Sequence, residues 1–260
     1  KIDKEWLQGV ESCGATVKIF SNDVTDRAAV NSAYRTISAT LPPIAGVVQG
    51  AMVLRDTMFA ETTMETIESI LGPKVRGSIY LDEIFYSTPL DFFVFLSSVT
   101  ATSGNPGQSI YAGANMFMNS LAAQRRKRGV AGSSVEIGCI MGNGSVTTIL
   151  SYEHQKYLFS VGNTWLAEQD FLTMFGEAVL ASPPDAPDSV TSVTGLRLQF
   201  NDDKPDITWF SNPIFQHLVL QSGNAMQTSL SVARQGTPVK SLLQEAKSSE
   251  EVLDILKGIV

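Results

Sequence analysis

Short apolar or β-branched runs alternate along this chain with longer stretches of helical period, and few folds accommodate that order. Residues 15–20, Ala-Thr-Val-Lys-Ile-Phe, have the composition of a strand. Residues 44–52 are almost continuously apolar and small, the pattern of a parallel strand covered on both faces. Residues 92–96 and 134–140 read as strands too, and 192–200 alternates. Helical spacing predicts helices over 1–14, 25–39, 62–85 (bent at Gly72-Pro73), 108–128 and 164–181. This order implies the α/β class, a Rossmann-like doubly wound parallel sheet with helices on both faces. Ligands in such sheets bind at the carboxyl ends of the strands.

Composition excludes several functions. The net charge is −7, with no long basic run, which argues against nucleic acid as the main partner. The densest basic stretch, Arg125-Arg126-Lys127-Arg128, ends a helical pattern, where positive charge suits the helix dipole. A docking surface for an acidic partner is the other reading of that stretch. Cys13 and Cys139 are far apart and have no metal-ligand pattern, so free thiols in a reducing, cytoplasmic compartment are expected. His154 and His217 are too isolated for a metal site, and none is expected. No apolar run reaches about 18 residues and no secretory signal is visible, so no membrane partner is expected.

The chain begins at Lys1 rather than Met and reads as a piece of something longer. Residues 221–238, rich in Ser, Gln, Gly and Thr, read as a linker. Residues 240–260 read as the start of a further helix, with Leu242, Leu243, Ala246, Val252, Leu253 and Leu256 on one face.

The chemistry concentrates at one predicted strand end and the helices on either side of it. Ser98 leaves the strand at 92–96, and Tyr111 follows thirteen residues later on the next helix. Asn115 is four residues beyond Tyr111 and shares its helix face. Lys74 lies on the preceding helix. This set suits carbonyl reduction. A carbonyl that accepts hydride develops negative charge on oxygen; a serine hydroxyl holds that oxygen, and a tyrosine holds it and donates a proton. A neighbouring ammonium is expected to lower the phenol from its usual value of about 10, giving a better general acid. Asn115 is placed to order a water or to fix the lysine. Each residue alone is ordinary packing or surface chemistry; the combination is not.

In order and spacing, Lys74, Ser98, Tyr111 and Asn115 resemble the catalytic tetrad of polyketide synthase ketoreductases. In stand-alone short-chain dehydrogenases a lysine stands where Asn115 is. The resemblance covers about residues 1–220, a catalytic domain, with 221–260 leading toward a carrier-protein domain. It implies NADPH-dependent reduction of a β-keto group tethered to an acyl carrier protein, in a homodimeric synthase whose other domains act in cis. The alternative is a non-catalytic, structural ketoreductase-like module, which usually loses the tetrad. Residues 20–26 resemble the family's strand end beside the adenine, implying contacts from Asp23 and Val24. Residues 44–51 resemble the strand passing the cofactor ribose, implying Gln49, Gly50 and Ala51, with Tyr111 and Lys74 beyond them. The same resemblance implies that Gly138 and Ile140 contact the cofactor at the nicotinamide edge.

Leu54-Arg55-Asp56 resembles the family's Leu-Asp-Asp motif, and Ser103 stands where the alternative tryptophan marker would be. The resemblance therefore implies B-type stereocontrol, with Asp56, Gln108 and Met141 facing substrate; a turn residue is the competing reading of Asp56. Met52 stands where the family has glycine, and 138–144 lacks a common proline. Gln49, Met52 and the missing tryptophan lean toward fungal highly reducing synthases, including those fused to peptide synthetases. The aromatic-rich residues 145–163 imply a substrate lid, with a packed surface loop as the competing reading. No G-x-G-x-x-G occurs in the sequence. The family's first βαβ unit, which cradles the pyrophosphate, is thus expected upstream, the domain is expected to be N-terminally incomplete, and these residues alone are expected to bind NADPH weakly.

Overall fold

A parallel ladder of four strands organises the larger part of the computed structural model, which describes residues 4–141, 151–160, 162–196 and 213–215. The strands are β1 (Gly46–Gln49), β2 (Phe92–Ser98), β3 (Ser133–Ile137), β4 (Cys139–Ile140), β5 (Trp165–Leu166) and β6 (Thr191–Val193). The helices are α1 (Lys4–Ser12), α2 (Arg27–Thr40), α3 (Met64–Leu71), α4 (Gly77–Ile84), α5 (Thr100–Ser103), α6 (Ser109–Lys127), α7 (Tyr152–Ser160) and α8 (Glu168–Leu180). Two units divide the chain. Residues 1–137 with 168–194 form the first, and 138–167 with 195–260 the second.

In the first unit the order is β1-β2-β3-β6, all parallel. Gln49 pairs with Phe95, and Ser98 with Ile137, so β1, β2 and β3 end at one edge. β2 alternates between two cores. Phe93 and Phe95 pack on Met118, Leu121 and Ala122 of α6 and on Phe85 after α4. Val94 and Val135 pack on Ala178 of α8, with Met174, Phe175 and Val179 around them. Helices therefore cover both faces, as the alternating periods predict. Burying each phenylalanine contributes about 2–3 kcal/mol. Asp26 caps α2 by accepting from the Ala28 and Ala29 amides, and Thr63 caps α3. Gly129, at φ +79°, turns the chain after α6 where a side chain would be strained.

The predicted bend at Gly72-Pro73 is a π turn, Gly72–Arg76, between α3 and α4. Pro73 has no N–H to offer the α ladder, and the Gly77 amide reaches back to the Gly72 carbonyl. The wider turn carries Lys74 to the interior, where it is 1% exposed.

Several boundaries depart from expectation. Residues 15–20 form no strand and are largely exposed. β-branched composition cannot make a strand without a neighbour for its backbone groups, and among the described residues none pairs there. The predicted strand at 134–140 is split at Gly138 into β3 and β4. The predicted helix at 164–181 begins only at Glu168, because Trp165 and Leu166 pair with β4. The strand predicted over 192–200 ends at Val193, and residues 194–196 do not continue it; residues 197–200, the linker and the final helix lie outside the described residues.

The basic run closes α6, as its place in the helical pattern predicts, and most of it is also bound within the fold. Arg125 is 0% exposed, donates to the Ala131 carbonyl and pairs with Asp82, with its guanidinium 4.0 Å from the Phe93 ring centroid. Arg128 pairs with Asp82 as well, and Arg126 donates to the Ala186 and Asp188 carbonyls. Three of the four cations are thus spent inside the fold.

β1 is an edge strand, with Val48 43% exposed. Beside it runs an apolar groove of about 410 Å³ lined by Val30, Tyr34 and Ile37 of α2, Val47 of β1, and Leu81 and Ile84 of α4. In the second unit β4 pairs in parallel with β5, and Met141 donates its amide to the Leu166 carbonyl. Among the described residues no helix is long and apolar enough to cross a membrane.

Removing the carboxylate under Arg125 leaves a buried cation unpaired. Asp82→Ala is expected to lower the unfolding free energy by about 3–5 kcal/mol, read by denaturant titration; a loss under about 1 kcal/mol would contradict this account.

Candidate active site

Four side chains converge at the carboxyl edge of the first unit. Ser98 ends β2. Its Oγ accepts from the Thr100 amide at 3.3 Å and the Thr100 hydroxyl at 3.1 Å, so the single turn α5 fixes its direction. Tyr111 stands in the first turn of α6 and is 8% exposed. Asn115, one turn on, is fully buried and donates to the Tyr111 carbonyl at 2.8 Å. Its Oδ1 has no protein partner. Ser97 donates to the Asn115 carbonyl at 3.3 Å, tying β2 to α6.

Lys74 arrives from the opposite side. Its ammonium donates to the Leu96 carbonyl at 3.0 Å and lies 5.3 Å from the Tyr111 ring centroid. Desolvation lowers its pKa from 10.5 to about 8. The sequence also predicts a lowered tyrosine, and this is corrected. Burial raises the Tyr111 pKa, against the side chains of Asn115 and Ser98, which lower it; the Asp56 charge adds to the rise. The phenol therefore holds its proton firmly at neutral pH.

The hydroxyl of Tyr111 donates to the Met52 sulfur at 3.7 Å. Met52 thus reaches the candidate tyrosine hydroxyl itself, which its place at a strand end suggests only in outline. Gln108 donates to Asp56 at 2.9 Å, and Thr57 to the Gly107 carbonyl at 2.9 Å, so the segment around Asp56 is pinned to the turn that opens α6. The sequence singles out both residues but not their pairing, fifty-two positions apart. Gln49 is buried: it donates to the Pro73 carbonyl at 2.9 Å and to Ser78, and accepts from the Ala51 amide. Its side chain holds β1 against the π turn.

Asp23 accepts from the amide and hydroxyl of Thr25, each at 2.8 Å, which holds its carboxyl below the usual range. It lines a cavity of about 410 Å³ with Thr25, Val53, Gly72, Pro73 and Arg76. Val24 lies instead against Gly77, where an added Cβ would come within 2.7 Å of it. Gly50 and Ala51 follow β1 at the same edge. Gly138, Ile140 and Met141 belong to the second unit, with Met141 exposed there. Cys139 is buried, which pushes its thiol up to about 11, and Cys13 is exposed; neither is disulfide-bonded. Of the 145–163 segment, α7 is described and residues 142–150 are not; the side chain of His154 lies outside the described residues.

The set suits a nicotinamide dinucleotide at its ribose and nicotinamide end. A buried amine, two hydroxyls and an unpaired buried amide oxygen gather where three parallel strands end. Among the described residues no group of three His, Cys, Asp or Glu is placed to hold a metal.

The KR domain family model matches residues 1–142. The chain is 51% identical over 257 residues to the PKS-NRPS hybrid synthetase cheA of Chaetomium globosum, covering 99% of this chain and 5% of that protein. It is 50% identical to the polyketide synthase-nonribosomal peptide synthetase pyiS of Pyricularia grisea, covering 98% of this chain and 6% of that protein. The chain therefore spans about a twentieth of the length of these relatives. Among solved structures, PlmKR1, a ketoreductase from the first module of phoslactomycin biosynthesis in Streptomyces sp. HK803, is similar, with a TM-score of 0.66 and 31% identity; 75% of this chain and 43% of that one are covered. A ketoreductase domain from the bacillaene assembly line gives a TM-score of 0.64 at 27% identity, over 71% of this chain and 46% of that one.

Burying an ammonium costs stability. With the folded pKa of Lys74 near 8 and the unfolded value at 10.5, the full cost is present below pH 8 and is gone above 10.5. Lys74→Met is expected to raise the unfolding free energy by on the order of 2 kcal/mol at pH 7. The advantage should shrink as pH rises through that window, as read by denaturant melts; a pH-independent difference would contradict the assignment.

Proposed function

Because this chain belongs to the KR domain family, the ketoreductase domains of polyketide synthases, we propose that it reduces the β-keto group of an acyl chain, tethered to a carrier protein, to a hydroxyl with NADPH. The observation that carries this reading is the convergence of Lys74, Ser98, Tyr111 and Asn115 at one sheet edge, with the lysine amine buried against the tyrosine ring.

Ser98 and Tyr111 donate hydrogen bonds to the ketone oxygen. NADPH, when bound, supplies the hydride to the carbonyl carbon. As charge develops on that oxygen, the phenol of Tyr111 gives up its proton to it. A phenol with a raised pKa is protonated at neutral pH and releases the proton only to the stronger base, the nascent alkoxide. Lys74, still mostly ammonium at pH 7, stabilises the phenolate left behind. The unpaired Oδ1 of Asn115 is suited to hold a water that returns a proton toward Lys74. Asp23 is assigned to the adenine side, the backbone of Gly50 and Ala51 to the ribose, and Asp56 with Gln108 to substrate orientation. Met52 must leave the Tyr111 hydroxyl before a ketone can take its place. The groove beside β1 suits a further parallel strand of a fuller domain, bearing the phosphate-binding turn.

The test is NADPH oxidation with a β-ketoacyl thioester mimic, in the protein that carries this chain. Tyr111→Phe is expected to lower turnover at least about 100-fold with the thermal melt unchanged. Unchanged turnover would overturn the catalytic reading and favour a structural module. Because Lys74 loses its proton above about pH 8, kcat should fall on the alkaline side near that pH; a limb that begins only near 10 would remove the lysine from the scheme.

A further inference from the structure

One buried carboxyl stands outside the scheme above. Glu136 lies on β3, opposite Ser97 and one residue before the partner of Ser98, and is 1% exposed. Its Oε1 accepts two hydrogen bonds, from Thr102 Oγ1 at 2.7 Å and Asn119 Nδ2 at 2.6 Å. Thr102 belongs to α5, the same turn whose Thr100 holds the Ser98 hydroxyl. Asn119 belongs to α6, two turns below Tyr111 and one below Asn115 on the same face. One oxygen therefore bridges the element that aims the serine and the element that carries the tyrosine. The strand beneath is anchored too, since the Glu136 carbonyl accepts from the amide and hydroxyl of Thr194.

Stability alone does not favour an acid here. Burial raises the Glu136 pKa against the bonds from Thr102 and Asn119, which lower it. Its second oxygen, Oε2, and Asn119 Oδ1 are buried without partners. A carboxyl in that setting costs more than an apolar side chain of similar volume. What it provides is direction, because hydrogen bonds fix two separate elements to one point where apolar packing would allow them to slide.

We infer that Glu136 is a positioning residue, which sets the separation of Ser98 and Tyr111 by clamping α5 and α6 to β3. This rests on the reductase reading for its consequence in turnover, but not for its geometry. A neutral carboxyl still accepts through Oε1, and so does an amide. Glutamine should therefore replace glutamate, whereas leucine should not.

The experiment compares Glu136→Gln and Glu136→Leu in the protein that carries this chain. It measures kcat and KM for the thioester mimic, and the tyrosine ring-carbon NMR resonances across pH, with Tyr111 assigned by its loss in Tyr111→Phe. Expected for Glu136→Leu is a fall in kcat of about 30–100-fold, a KM within about threefold and a displaced Tyr111 titration. Glu136→Gln should stay within about threefold of the parent in both constants and keep the Tyr111 titration. The inference is overturned if the leucine variant keeps both kcat and the Tyr111 titration, or if glutamine is as damaging as leucine. Should leucine prevent folding, Thr102→Val and Asn119→Ala each cut one bond. Each should lower kcat about fivefold and move the Tyr111 resonance, and no change in either variant overturns the clamp. If the parent protein reduces nothing, the reductase reading fails, while the Tyr111 resonance still decides the clamp.

Discussion

Parallel strands can be joined only by crossovers, and from that single constraint the arrangement follows. Each strand of the ladder must begin at the same end of the sheet and finish at the other. The residues that leave β1, β2 and β3 therefore meet at one edge whatever the lengths of the helices between them. Ser98 comes to that edge by finishing a strand, and Tyr111 by opening the helix that starts the return. Lys74 reaches it from the helix before. Residues as far apart as 52 and 111 come into contact this way.

Two buried ionic groups support the edge differently. Arg125 sits under β2 with its carboxylate and carbonyl partners in place, so its charge is matched and the pair serves the fold. Lys74 has one carbonyl and an aromatic ring and no counter-ion among its recorded partners. Desolvation lowers the pKa of both, but the Asp82 carboxylate opposes the fall at Arg125, while desolvation acts alone at Lys74. The difference separates a matched charge from an unmatched one, and it is the unmatched one that the proposed reduction uses.

Much of this was legible in the sequence because period and composition report burial. The innermost strand, β2, and the long α6 were readable since both are fixed by their own apolar pattern. That Lys74, Ser98, Tyr111 and Asn115 would come together was readable through spacing and resemblance. What failed has a common cause: it depended on neighbours the local sequence does not name. Residues 15–20 have strand composition but no ladder partner. Trp165 and Leu166 have helical neighbours yet pair with β4. Arg125 reads as one of four cations at a helix end, and nothing local says that Asp82, forty-three positions away, pairs with it in the interior. Glu136 did leave a signal, an acid inside the otherwise uncharged buried run Ser133–Ile137, though nothing local says which helices it joins.

The π turn between α3 and α4 has an evolutionary consequence. Such a turn is an α-helix with one residue more than the ladder needs. Deleting one residue of Gly72–Arg76 would restore a continuous α-helix with the packed faces of α3 and α4 still in phase, because the wide turn absorbs the roughly 100° that one extra residue adds. Both helices are held in place by their own side chains, so the repaired helix could keep its packing only by giving up the turn that carries the lysine inward. Length in this segment therefore matters as well as the identity of Lys74. A single codon lost there would leave a folded protein without its buried amine.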